Sequence, residues 1–170
     1  MATFIHPTAV IGPNVLIGND VYIGPYCIIG YPAEWKGNEH NDCGVIIGNG
    51  ARLTGLVTVD SGVNGPTIVG KDCYILKHSH IGHDAVLGND VVISCGAKIG
   101  GHAEIGDRCN IGLNACIHQK VKVPPGCMIG MGAVVTKTLN MFSNAKYAGV
   151  PAKYIGRNDI EFLGGKRSGI

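Results

Sequence analysis

The chain has 170 residues, of which 45% are hydrophobic and only 15% charged, with 27 glycines and a net charge of +2. That is enough apolar material for one domain with a true core, and abundant glycine with few charges points to turn-dense β structure rather than helices. Lys and Arg form no run or stripe along the sequence, which argues against a nucleic-acid partner, and no apolar stretch approaches the length of a membrane span or follows a basic N-terminal segment, so the expected location is cytoplasmic.

In chain order, Ile5, Ile11, Ile17, Ile23 and Ile29 recur every six residues, and glycine follows four of them. The step breaks between Tyr31 and Val45 and resumes at Ile47, Leu53 and Val59. Residues 31–45 therefore read as a loop that leaves a repetitive scaffold and rejoins it, the kind of segment that carries binding residues. It holds the single Trp, Trp35, which either covers an apolar edge or meets a ligand. A second, smaller loop over 60–68 is marked by Ser61-Gly62-Val63-Asn64-Gly65-Pro66.

From Val69 to Val135, twelve aliphatic residues follow one another at intervals of six without a slip. Neither a helical period nor plain strand alternation produces this pattern. Four residues after each aliphatic the side chain is usually small, as at Cys73, Ser79, Ala85 and Ala97, and glycine often comes directly after it, where we place the backbone bend. Three such hexads make one triangular coil, and stacked coils bury each other's open faces. The expectation is an all-β parallel β-helix over 1–139. Residues 140–170 form a C-terminal tail or a short helical cap, with Pro151 opening one turn and Asp159 capping another that packs Ile160 and Leu163. The first coil needs some capping of its own. The cysteines are odd in number, seven, and several occupy small-residue positions, so they are expected to be structural thiols in a reducing compartment.

Histidine is concentrated at His78, His80, His83, His102 and His118. Counting one coil on from His83 reaches Gly101, which puts an imidazole and a bare backbone amide about 4.8 Å apart. An imidazole near neutral pKa can take a proton from a hydroxyl or amine. A neighbouring N–H can hold the oxyanion formed when a thioester is attacked. Together they suffice for direct acyl transfer without a serine or cysteine nucleophile, although outward histidines on a β-helix can also be plain surface residues.

The segment Ser79-His80-Ile81-Gly82-His83-Asp84, then Gly101-His102 and Ile117-His118-Gln119, resembles the active-site region of the acyl-carrier-protein:UDP-N-acetylglucosamine O-acyltransferases of lipid A synthesis. Ile5-His6-Pro7-Thr8-Ala9-Val10-Ile11-Gly12 and the loop ending Glu34-Trp35-Lys36 are also similar, and the likeness runs over roughly residues 4 to 136. The resemblance implies a left-handed β-helix of hexapeptide repeats, assembled as a homotrimer with active sites between subunits. It further implies His83 as general base, His80 beside it, and the Gly101 amide as oxyanion hole. Glu34, Lys36, Asp60, His102 and His118 would bind substrate. The partners would be a nucleotide-sugar and an acyl-ACP or acyl-CoA co-substrate, with no bound cofactor and no metal.

The chain departs from that family in four respects, one being a shorter glycine-rich segment before Val69. Asp60 stands where the family has histidine, about one N-terminal coil is missing, and the C-terminal helical domain is replaced by Tyr147-Ala148-Gly149-Val150-Pro151-Ala152-Lys153. That last segment resembles the tail of acetyl-CoA-dependent hexapeptide acetyltransferases, so a sugar O- or N-acetyltransferase stands as the alternative. Asp84 could orient an imidazole or simply form a turn. A γ-class carbonic anhydrase-like zinc protein and a non-enzymatic scaffold are the other readings. The histidine hexad positions disagree with the former.

Overall fold

A computed structural model describes residues 2–34 and 42–159. The chain is a left-handed parallel β-helix whose strands form three sheets, one for each side of a prism. The first sheet has nine strands, from Phe4–Ile5 through Tyr22–Ile23, Arg52–Leu53 and Tyr74–Ile75 to Ala145–Ala148 and Lys153–Arg157. The second has seven, from Val10–Ile11 through Ile28–Tyr31, Thr58–Asp60, His80–Ile81 and Lys98–Ile99 to Val134–Val135. The third has six, from Val15–Ile17 through Val45–Ile47, Thr67–Val69 and Val86–Leu87 to Lys122–Val123.

Most strands are two residues long, an outward residue followed by the inward aliphatic of the hexad. All twelve aliphatics from Val69 to Val135 are buried, and so are the small residues four positions later, from Cys73 to Ala133. Each buried Ile, Leu or Val contributes about 1.5–3 kcal/mol, and the column of them is the core. Four of the cysteines (Cys27, Cys73, Cys109 and Cys127) belong to it, whereas Cys43 and Cys116 are exposed and Cys95 is half-buried. Burial raises the thiol pKa of Cys27, and that of Cys73 to about 11, which keeps both protonated and inert.

The glycines after the aliphatics do not mark the bend. The backbone turns two residues beyond them, where Asp72, His78, Asp84, Asp90, His102, Arg108, Asn114 and Lys120 all have φ between 53 and 63°. Asp, Asn and Gly tolerate that left-handed conformation best. Glycine directly after the aliphatic answers a different need, the close approach of the next coil. A Cβ at Gly100 would lie 2.5 Å from the Gln119 amide nitrogen and 2.9 Å from the Ile117 carbonyl.

Both insertions leave the prism at one corner, between the second and third sheets. Strand pairing bounds them more tightly than the sequence pattern does, because Tyr31, Val45, Asp60 and Thr67 are all in strands, so the first insertion falls between Tyr31 and Val45 and the second is the loop 61–66. Arg52 pairs back to Tyr22 and forward to Tyr74, and both steps are longer than the three hexads that separate Tyr74 from its next partner, Val92. The two loops account for the difference.

At the C-terminal end the helical expectation is overturned within the described residues. Ala145–Ala148 continues the first sheet in parallel beside Met128–Ile129, then turns into an antiparallel hairpin with Lys153–Arg157. Ala145 and Tyr147 take the inward places of a further coil, and the hydroxyl of buried Tyr147 accepts the Phe142 N–H at 2.7 Å. The strand pattern wins because the hydrophobic alternation of Ala145-Lys146-Tyr147-Ala148 fits the existing sheet edge. Pro151 lies in the hairpin turn. Ile160 and Leu163 lie outside the described residues. At the other end Ile5 remains 41% exposed, so the expected capping of the first coil is not found among the described residues.

Candidate active site

The corner that carries both loops also carries, one coil further on, His83 and Asp84, then Gly101 and His102, then Gln119 and Lys120. Strand pairing of His80 with Lys98 and of Lys98 with Cys116 fixes this stacking. The His102 N–H donates to the His83 carbonyl at 2.9 Å, and the Lys120 N–H to that of Gly101 at 2.9 Å.

His83 is held by one nitrogen. Its Nδ1 donates to Asp84 Oδ2 at 2.7 Å, which leaves Nε2 as the acceptor in the neutral ring. The ring lies over residue 101 so closely that a Cβ there would stand 2.8 Å from Nε2 and 3.1 Å from Cδ2 and Cε1. Only glycine leaves room for it.

The amide of Gly101 is open. At the equivalent hexad position of a different corner, between the third and first sheets, the amides of Asn19, Lys71 and Asn89 are each taken by a side chain one coil on, from Asn49, Asn89 and Asp107, at 2.7–2.9 Å. The residue that follows Gly101 in this column is Gln119, and among the described residues the Gly101 N–H donates to no acceptor.

Asp84 is the residue whose role the sequence understates. It occupies the turn, with φ 57°, and also anchors the imidazole. Loop 61–66, one coil below, wraps it. The amides of Asn64 and Gly65 donate to Oδ1 at 2.7 and 3.0 Å, and that of Val63 to Oδ2 at 3.0 Å. Its own N–H donates to Thr67 Oγ1 at 2.9 Å. Burial alone would raise this carboxyl's pKa, but the hydrogen bonds from His83 and the three amides outweigh it and leave the pKa lowered. Asp84 is therefore a fixed anion that selects one tautomer and one orientation of His83. Its signal in the sequence is a glycine-rich loop one coil before an Asp that follows a His.

His102 packs edge-on against His83, with ring centroids 5.0 Å apart, and its Nε2 is 3.9 Å from Asp84 Oδ2. His80 shares an Nδ1 hydrogen bond with Thr58 Oγ1 at 2.8 Å, and its Nε2 is 3.7 Å from Asp60 Oδ2. Burial pushes the Asp60 carboxyl above its ordinary value, His80 and His83 pull it back, and the nearby charge of Glu34 adds to the rise. The structure thus brings His83, Asp84, Gly101, His102, His80, Asp60 and Glu34 into one neighbourhood. His118 stands apart: it is exposed, its Nδ1 donates to the Gln119 carbonyl at 3.0 Å, and it lies one coil beyond Gly100. Lys36 and Trp35 lie outside the described residues.

His83, Asp84 and His102 each offer a metal-ligand atom, all within 4.8 Å of one another. The fit is poor on hydrogen-bond grounds. Both Asp84 oxygens are already occupied by four N–H donors, and a cation at Oδ2 would have to displace the His83 proton.

Residues 2–32 and 66–101 match the family described as bacterial transferase hexapeptide (six repeats), and residues 102–137 match the hexapeptide repeat of succinyl-transferase. The chain belongs to the hexapeptide-repeat acyltransferase superfamily. Among relatives within this superfamily, it is 38% identical over 100 residues to the acyl-[acyl-carrier-protein]–UDP-N-acetylglucosamine O-acyltransferase of Campylobacter lari, covering 49% of this chain and 38% of that protein. The enzyme of the same name from Brucella ovis is 34% identical over 82 residues, covering 48% of this chain and 24% of the other. The alignments thus span less than half the length of these curated relatives. Among solved structures, the UDP-N-acetylglucosamine acyltransferase of Bacteroides fragilis superposes with a TM-score of 0.88 at 27% identity, covering 92% of this chain and 62% of that one. The enzyme from Campylobacter jejuni gives 0.76 at 27% identity, with 91% and 75% covered.

Proposed function

We propose that this protein moves an acyl group from acyl-ACP or acyl-CoA to a hydroxyl or amine of a nucleotide-activated sugar. The observation that carries the reading is a single-anchored imidazole, His83, lying close over Gly101, a residue whose own amide has no acceptor among the described residues. The names of the relatives in Campylobacter and Brucella support the substrate class.

In the reaction, the acceptor O–H or N–H gives its proton to His83 Nε2 as its lone pair attacks the thioester carbonyl carbon. Asp84 stabilises the imidazolium that results. The carbonyl oxygen, now negative, accepts the Gly101 N–H, a contact worth about 3–4 kcal/mol in other oxyanion holes. Collapse re-forms the carbonyl, breaks the carbon–sulfur bond and returns the proton from His83 to the leaving thiolate. No covalent enzyme intermediate forms. His80, Asp60, Glu34 and His102 are assigned to the acceptor, and His118, one coil toward the C-terminus, to the donor side of the same edge.

A homotrimer suits the surface next to this corner. The outward residues of the third sheet begin Leu16, Ile46, Ile68 and Val86, an unbroken aliphatic column in strand register. Closed three-fold packing would cover it and place a second subunit beside His83.

The test is thiol release from a panel of acyl-ACPs and acyl-CoAs, from acetyl upward, with UDP- and dTDP-sugars as acceptors. His83→Ala should lower kcat by about 10²–10⁴-fold while the oligomer stays folded. Turnover at the wild-type rate in that variant would refute the assignment, and activity confined to acetyl-CoA would favour the acetyltransferase reading. The cluster of His83, Asp84 and His102 is the one observation on the side of a zinc protein. Zinc bound stoichiometrically after purification without added metal, with carbon dioxide hydration lost to a chelator, would favour that reading instead.

A further inference from the structure

Charge is distributed very unevenly along this prism. Residues 1–107 carry ten acidic and five basic residues, whereas residues 108–158 carry seven basic residues and no acidic one. The basic residues form no run in sequence, yet successive coils gather them at one end. Lys122 is paired with Glu104 at 2.9 Å, and Arg157 lies 3.5 Å from Asp159. Lys120, Lys137, Lys146 and Lys153 have no acidic partner among the described residues.

The terminal hairpin combines this charge with exposed apolar groups. Val150 in its turn is 72% exposed and Ile155 63%, with Tyr154 and Phe142 also open to solvent. Every residue of Lys153-Tyr154-Ile155 is exposed, and Lys146 and Lys153 flank the turn from the two strands. Side chains that protrude from a turn, rather than line a groove, are poorly shaped for a rigid protein partner. A fluid interface accepts them in any arrangement. Aliphatic tips, an interfacial tyrosine and unpaired lysines are the chemistry that lies on anionic lipid. A second copy of the same end would be repelled by like charge.

We infer that the hairpin 145–157 is a peripheral docking surface for an anionic phospholipid bilayer. The inference does not rest on the acyl-transfer reading, because it uses neither His83 nor Gly101.

The test is co-sedimentation of the full chain with sucrose-loaded vesicles, made of phosphatidylcholine alone or of phosphatidylcholine mixed with phosphatidylglycerol, at low and high salt. Binding should require the anionic lipid and fall as salt rises. Lys146→Glu with Lys153→Glu should weaken it by about twenty-fold or more, each basic residue near such a surface being worth about five-fold. Val150→Ser with Ile155→Ser should weaken binding while its salt dependence is retained. Thermal unfolding and light scattering on each variant establish that it is folded. Equal binding to both vesicle types, or binding unchanged in folded charge-reversal variants, would overturn the inference. So would capture of an acidic protein through the same lysines with no vesicle binding.

Discussion

Gly101→Ala and Gly100→Ala are neighbouring substitutions of the same chemistry with opposite expected consequences. At residue 101 the new methyl meets the His83 ring, 2.8 Å from Nε2 and 3.1 Å from two ring carbons. No positive φ is involved there, and a side chain can swing away, so the fold loses little. The ring is displaced, which strains or breaks its bond to Asp84 and moves Nε2 from its place over residue 101. A shift of roughly 1 Å costs about 10²-fold in rate, while Tm falls by no more than about 4 °C. At residue 100 the methyl meets backbone, 2.5 Å from the Gln119 nitrogen and 2.9 Å from the Ile117 carbonyl. Two coils must separate, at about 2–3 kcal/mol, so Tm should fall by about 4–12 °C. Thiol-release kinetics under saturating substrates, with calorimetry on both variants, separate the cases. Near-normal kcat in Gly101→Ala, or a larger loss of Tm there than in Gly100→Ala, would refute the reasoning.

Asp84→Asn should lower kcat and also make the acid limb of the stability profile shallower. The carboxyl's pKa is lowered in the fold, so its contribution is present above the ordinary carboxylate range and is lost as pH falls toward the lowered value; Tm measured between pH 7 and 3 in both proteins checks this. Asp60 has the opposite sign, because a raised pKa means the charged form is disfavoured in the fold. Asp60→Asn should therefore raise Tm at pH 8, with the advantage shrinking as pH falls and the wild-type carboxyl takes up its proton. Leu16→Glu with Val86→Glu, on the aliphatic column of the third sheet, should convert the proposed trimer to smaller species in light scattering without altering the far-ultraviolet spectrum. A trimer that survives both charges would place the interface elsewhere.

The site is partly legible in the sequence because a β-helix converts sequence distance into spatial stacking. Counting three hexads on from His83 identifies Gly101, and the structure places the two in contact. His102 and His80 are supplied by the resemblance to the acyltransferases and not by that count. Asp84 follows from neither, since its importance depends on three amides from a loop whose path no repeat constrains. His118 is grouped with the others by its spacing, yet it sits at the hexad position before the turn and one coil too far on to touch His83. The C-terminal hairpin escapes the sequence for a related reason: Pro and Asp signal a turn, and the choice between helical turn and hairpin is made by the open sheet edge that Ala145–Ala148 joins.

What the sequence alone determined is the scaffold, because an aliphatic residue every six positions can be buried throughout in only one way, by three short strands per coil. It also determined which residues share a corner. The tertiary structure decided how those corner residues act on one another. Which nitrogen of His83 is tied, which amide is left unpaired and which carboxylate is held as an anion all depend on loop backbone and on contacts of a few ångströms. Hydrophobic periodicity carries no information at that scale.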